Sequence, residues 1–172
     1  MVSFQDIQTA YYMVAATGVL VAAIYYVMNI RTTQRNMRAN LETRQTQLFM
    51  DLYSVMRNKE FVKDTRELAD WQWKDFKDFR EKYGQRTNKE ANSIFVSVGN
   101  FFDGIGLLVK RDLINTDLVD DLMSSWVIWY WDKFGSIIID YRKYSGPNYM
   151  EWVEYLHNRI KSSSKIGPLI IS

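Results

Sequence analysis

The chain contains no cysteine, one histidine and two prolines, and no glycine or proline interrupts it between Val19 and Tyr83. Without cysteine there is no disulfide framework, thiolate nucleophile or thiolate metal site. The lone histidine, His157, lies beside Tyr155 and Asn158 with Glu154 as its near carboxylate. Metal and acid–base sites need several convergent groups, so His157 reads as a surface or partly packed side chain. The breaker-free run favours a long helical run. No segment alternates apolar and polar residues for the length of a useful strand, which argues against a sheet. Charge is nearly balanced, with a formal net value of +2. Much of the excess follows one apolar stretch, so no nucleic-acid surface and no nucleic-acid partner is expected.

That stretch, Ile7 to Ile30, holds no charged residue. A bilayer's hydrocarbon core takes about 20 helical residues, and residues 11–30 are predicted to span it as a helix. Tyr11, Tyr12, Tyr25 and Tyr26 sit at its two ends, where interfacial rings belong. Arg31, Arg35 and Arg38 follow at once, while residues 1–10 hold only Asp6. The positive-inside rule then puts the short N-terminus outside and the C-terminal bulk in the cytoplasm, with the plasma membrane as location. A cleaved signal peptide would want a basic start and a shorter apolar core. Ala15, Gly18 and Ala22 share one face, and this small-residue pattern lets two helices approach closely in lipid.

Beyond the membrane, apolar residues recur at Met37, Leu41, Leu48, Leu52 and Val55, interrupted at Arg44 and Gln45. Their period predicts that the membrane helix continues as a stalk over residues 31–57, ending near Met56–Asn58. A cytoplasmic bundle is expected over residues 58–161, with a tail at 162–172. Asn58 is expected to cap a short helix, and Trp71 to Tyr83 to form a second short helix or a broken continuation ending at Gly84. Thr87 to Glu90 has a capping-box pattern opening a helix to about Lys110. Thr116 is expected to cap the next helix, Ser145 to Asn148 to turn, and Tyr149 to Lys161 to form the last helix. The fold class is therefore all-α, a bundle of four to six helices behind one transmembrane helix. Aromatic residues make up 15% of the chain, enough for a large core in one domain.

Few residues suggest chemistry. Asp117, Asp120 and Asp121 open a helix, where carboxylates suit the dipole. A divalent cation would need these three to converge with Asp103 or Glu90 from the preceding helix. Gly99, Gly104 and Gly106 have neither the preceding strand nor the following Lys of a phosphate loop. They are expected to permit a close helix crossing, or else a kink near Asp103–Gly106. Trp126, Trp129 and Trp131 lie in a run that is apolar all round, and are expected to face a subunit or partner rather than the membrane surface.

Three segments, Glu42–Tyr53, Phe101–Val109 and Leu118–Met123, resemble a family of uncharacterised prokaryotic proteins with one N-terminal membrane helix and a helical cytoplasmic domain. The resemblance implies a prokaryotic membrane protein and carries no activity, ligand or catalytic residue. The leading expectation is a non-enzymatic protein without a cofactor that works by assembly. It would be a homo-oligomeric scaffold or accessory subunit, with the lipid bilayer and further copies or other membrane subunits as partners. One alternative is an oligomeric pore, for which Thr17 and Asn29 are the only polar lining. Another is a tethered enzymatic or ligand-sensing domain, for which Asp103, Asp120 and Asp121 are the first residues to test.

Overall fold

The computed structural model describes residues 3–163. Six α-helices follow one another: α1 (Phe4–Met56), α2 (Lys59–Asp70), α3 (Phe76–Tyr83), α4 (Lys89–Lys110), α5 (Thr116–Ser145) and α6 (Glu151–Ser163). No strand occurs among the described residues. The chain divides into two units, residues 1–44 and 45–172, with the boundary inside α1. The tail expected at residues 162–172 begins within α6, and its part from residue 164 lies outside the described residues.

The first unit is helix throughout from Phe4. Its start is fixed by a reciprocal cap: the Asp6 amide donates to the Ser3 hydroxyl at 3.2 Å, and the Ser3 amide to the Asp6 carboxylate at 3.1 Å. Along the apolar stretch the Thr9 hydroxyl donates to the Gln5 carbonyl at 2.9 Å and the Thr17 hydroxyl to the Met13 carbonyl at 2.8 Å. Both hydroxyls are thus satisfied within the helix, an arrangement compatible with lipid. Every described residue from 3 to 44 is exposed. In length and composition α1 is able to cross a membrane.

The second unit begins at Gln45, one of the two polar residues that interrupt the apolar period. Its side-chain amide donates to the Asp112 carbonyl at 2.7 Å, fastening α1 to the loop after α4. Asp112 itself turns with a φ of 53°. Asn58 caps α2 as expected, accepting from the Glu60 amide. Two caps fall one residue away from expectation. Asn88, not Thr87, caps α4 by accepting from Ala91, while the Thr87 hydroxyl is drawn back onto the Arg80 and Gly84 carbonyls that end α3. Asn115, not Thr116, caps α5 through the Asp117 amide. In both places a carboxamide stands beside the threonine, and asparagine is the better cap. The last helix starts at Glu151 rather than Tyr149, because Met150 adopts a φ of 49° and closes the turn.

The core is aromatic. Phe79 of α3, Phe95 and Phe102 of α4, and Tyr130 and Phe134 of α5 are fully buried and meet edge to face or tilted. The Tyr130 hydroxyl donates to the Phe95 carbonyl at 3.3 Å, so its one polar atom is satisfied. Trp71 stacks on Tyr83 with centroids 4.0 Å apart, joining the ends of α2 and α3. Like α1, α4 is long and apolar enough to cross a membrane, but Phe95, Val98, Phe102, Ile105 and Val109 form the bundle's core.

α4 is continuous helix from Lys89 to Lys110, and its glycines divide by role. A Cβ on Gly106 would lie 2.0 Å from the Trp152 carbonyl oxygen, and one on Gly99 would lie 2.3 Å from the Met150 methyl. These are the positions where α4 and α6 cross closely. A Cβ on Gly104 would meet nothing within 4 Å. Gly106→Ala should therefore lower stability by about 2 kcal/mol or more, since the opposing atom is backbone. Gly104→Ala should raise it by about 0.5–1 kcal/mol. Thermal unfolding followed by circular dichroism checks both. Equal shifts would contradict this division.

Candidate functional site

In the first unit the basic residues come together. Arg31, Gln34, Arg35 and Arg38 line one face of α1, and none of the three arginines forms an ion pair among the described residues. Ala15, Gly18 and Ala22 lie on another face, and a Cβ on Gly18 would meet nothing. Tyr11, Tyr12, Tyr25 and Tyr26 are all exposed. The first two rings meet edge to face at 6.0 Å.

The three tryptophans of α5 are partly buried and pack against the core. Trp126 and Trp129 meet at 6.2 Å and, with Thr65, Arg66, Ala69 and Ser125, line a shallow groove of about 300 Å³ between α2 and α5. Trp131 turns the other way, against His157 at 5.9 Å. His157 is more buried than its sequence setting suggests, at 6% exposure. Its Nε2 lies 3.2 Å from the Asp132 carboxylate and its Nδ1 3.1 Å from the Asn158 side-chain oxygen. Asp132 also accepts from Lys161 at 3.1 Å, so this cluster joins α5 to α6. The partner carboxylate comes from another helix, so sequence proximity pointed to Glu154 instead.

The acidic candidates do not converge. No group of three potential metal ligands occurs among the described residues. Asp120 is half-buried and Asp121 exposed on α5. Asp103 is engaged elsewhere. From the middle of α4 its Oδ1 accepts the backbone amides of Trp152 at 2.8 Å and Val153 at 3.0 Å. It thus serves as the N-terminal cap of α6, which carries no capping side chain of its own. Arg142 completes the arrangement. Its Nε donates to the Tyr149 carbonyl at 2.9 Å and its Nη2 to that of Met150 at 3.0 Å, and Nη1 pairs with Glu154.

These contacts place Tyr149 at the edge of a half-open groove of about 1050 Å³ in the second unit. α3 and the loop after it form one side, with Phe76, Arg80, Arg86 and Thr87; α4 supplies Asn92 and Asn100; α5 supplies Tyr141 and Tyr144. The Arg80 guanidinium lies over the Phe76 ring at 5.7 Å and the Tyr144 ring at 5.5 Å. The rings of Tyr141 and Tyr149 are 5.8 Å apart. Burial, followed by the neighbouring Tyr141, pushes the Tyr149 phenol up to about 12, and burial likewise raises Tyr141. Both phenols are therefore neutral donors at physiological pH. The stability gained by keeping Tyr149 neutral is present below the ordinary phenol range and lost only as pH rises towards 12. No motif marks this groove in the sequence, because its residues come from five separate segments.

The family model described as Domain of unknown function (DUF4760) matches residues 12–160, and the chain belongs to that family. No curated protein and no solved structure matches the chain.

If Asp103 caps α6, Asp103→Ala should cost about 1–2 kcal/mol of stability, and Asp103→Asn, which retains an acceptor, should cost less. Chemical denaturation of the two variants against the unaltered protein measures this. An Asp103→Ala variant as stable as the parent would remove the cap from the account.

Proposed function

We propose that this chain is a membrane-anchored assembly protein of a prokaryotic plasma membrane. It crosses the bilayer once through residues 11–30, holds its second unit in the cytoplasm, and acts as a homo-oligomeric scaffold or an accessory subunit of a membrane complex. One observation carries the reading: the described residues from 3 to 44 are exposed throughout, including the whole uncharged stretch. An apolar helix without cover is unstable in water, and lipid is the cover its length fits. The unpaired Arg31, Arg35 and Arg38 supply the basic flank that favours the cytoplasmic side. Within lipid, Ala15, Gly18 and Ala22 offer the face on which a second copy packs most closely, since no Cβ obstructs the approach at Gly18.

The absence of cysteine makes the test clean. Single cysteines at Ala15 or Ala22, on the small-residue face, should give disulfide-linked dimers when native membranes are oxidised. Cysteines at Leu20 or Ile24, on the opposite side of the helix, should give far fewer. Equal yields at all four positions would rule out this face as the contact. Recovery of the protein in the soluble fraction after alkaline carbonate washing would rule out the anchor itself.

A further inference from the structure

The groove of about 1050 Å³ brings together several polar side chains that have no hydrogen-bond partner among the described residues. Other polar groups near the core are engaged internally. The Tyr130 hydroxyl bonds the Phe95 carbonyl, and the Tyr83 hydroxyl bonds the backbone of Gln72. Lys82 is paired with Asp78, and Arg142 with Glu154. In the groove, by contrast, neither the Tyr141 and Tyr149 hydroxyls nor the Asn92 and Asn100 side chains make a hydrogen bond among the described residues. Arg80 and Arg86 likewise have no carboxylate partner there. The one acid in the lining, Glu81, lies 3.8 Å from Lys77.

Two uncompensated guanidinium groups remain. The last turns of α3 and α5 also border the groove, and each helix end contributes roughly half a negative charge. Two full positive charges exceed that, so the groove keeps a positive remainder. The Arg80 guanidinium lies on one side of the stacked Phe76 and Tyr144 rings, which are 5.8 Å apart, and its N–H groups have no carboxylate partner among the described residues. A pair of guanidinium groups matches the doubly charged oxygens of a phosphate ester better than a single carboxylate. The neutral phenols and carboxamides would meet hydroxyl or ring-edge groups on the remainder of such a molecule. The volume suits a ligand of that size.

We propose that this groove binds a phosphomonoester of nucleotide or sugar-phosphate size, with Arg80 and Arg86 holding the phosphate and Tyr141, Tyr149, Asn92 and Asn100 meeting its neutral polar groups. The inference goes beyond anchoring and assembly and stands on the second unit alone. It makes the cytoplasmic unit a ligand-responsive one.

The test is calorimetric titration of the purified full chain in detergent micelles with AMP and with ribose 5-phosphate. Inorganic phosphate and uncharged adenosine serve as comparisons. At least one ester should bind with submillimolar affinity and more tightly than either comparison. Arg80→Gln and Arg86→Gln should each weaken that binding by about tenfold or more, the usual loss for a charge-assisted hydrogen bond. Tyr149→Phe should weaken it severalfold while leaving the thermal unfolding midpoint within a few degrees. Both arginines are exposed, so their replacement leaves the core untouched. Absence of binding by both esters overturns the proposal. So does binding that both arginine variants retain, or adenosine binding as tightly as AMP.

Discussion

The bundle depends on the close approach of α4 and α6. Gly106 lets the α4 backbone come against the Trp152 carbonyl, and Gly99 leaves room for the Met150 side chain. At that separation Asp103 reaches the first free amides of α6 and caps it from outside. Because Asp103 and Arg142 fix the start of α6 from two sides, the turn through Gly146 to Met150 has little freedom. Tyr149 is consequently held at the groove. Three glycines in one helix weaken it locally by roughly 1 kcal/mol each relative to alanine. The crossing offsets this at two of them, and at the third, Gly104, nothing in the structure does.

Two helices of similar apolar character meet opposite fates in this chain. Both α1 and α4 are long and apolar enough to cross a membrane. α4 spends its apolar face on Phe79, Tyr130 and Phe134 and is the centre of the second unit. The first forty residues of α1 have no such cover. Composition alone does not separate these cases; burial does. The separation leaves α1, rather than α4, as the candidate membrane span.

Much of the architecture was legible in the sequence. Helical period, caps and the turn at Gly146 marked most of the helices, because each is a local property of a few residues. The capping residues at α4 and α5 were displaced by one, since asparagine and threonine stand side by side and only the backbone decides between them. The break between α2 and α3 was left open by the sequence and is settled by the Trp71–Tyr83 stack. What the sequence concealed was long-range. Gln45 interrupts an apolar period because it bonds Asp112, and His157 is buried because Asp132 and Trp131 come from α5. Asp103 reads as a possible ligand and proves to be a cap. The groove draws on α3, α4, α5 and two connecting segments, and no spacing announces it.

The central claim is that the uncovered apolar length of α1 is met by lipid and by further copies of the chain. Native mass spectrometry of the full-length protein, extracted gently from its own membranes, tests it most directly. The account expects a homo-oligomer of defined copy number that retains bound phospholipid. A lipid-free monomer as the sole species would contradict it.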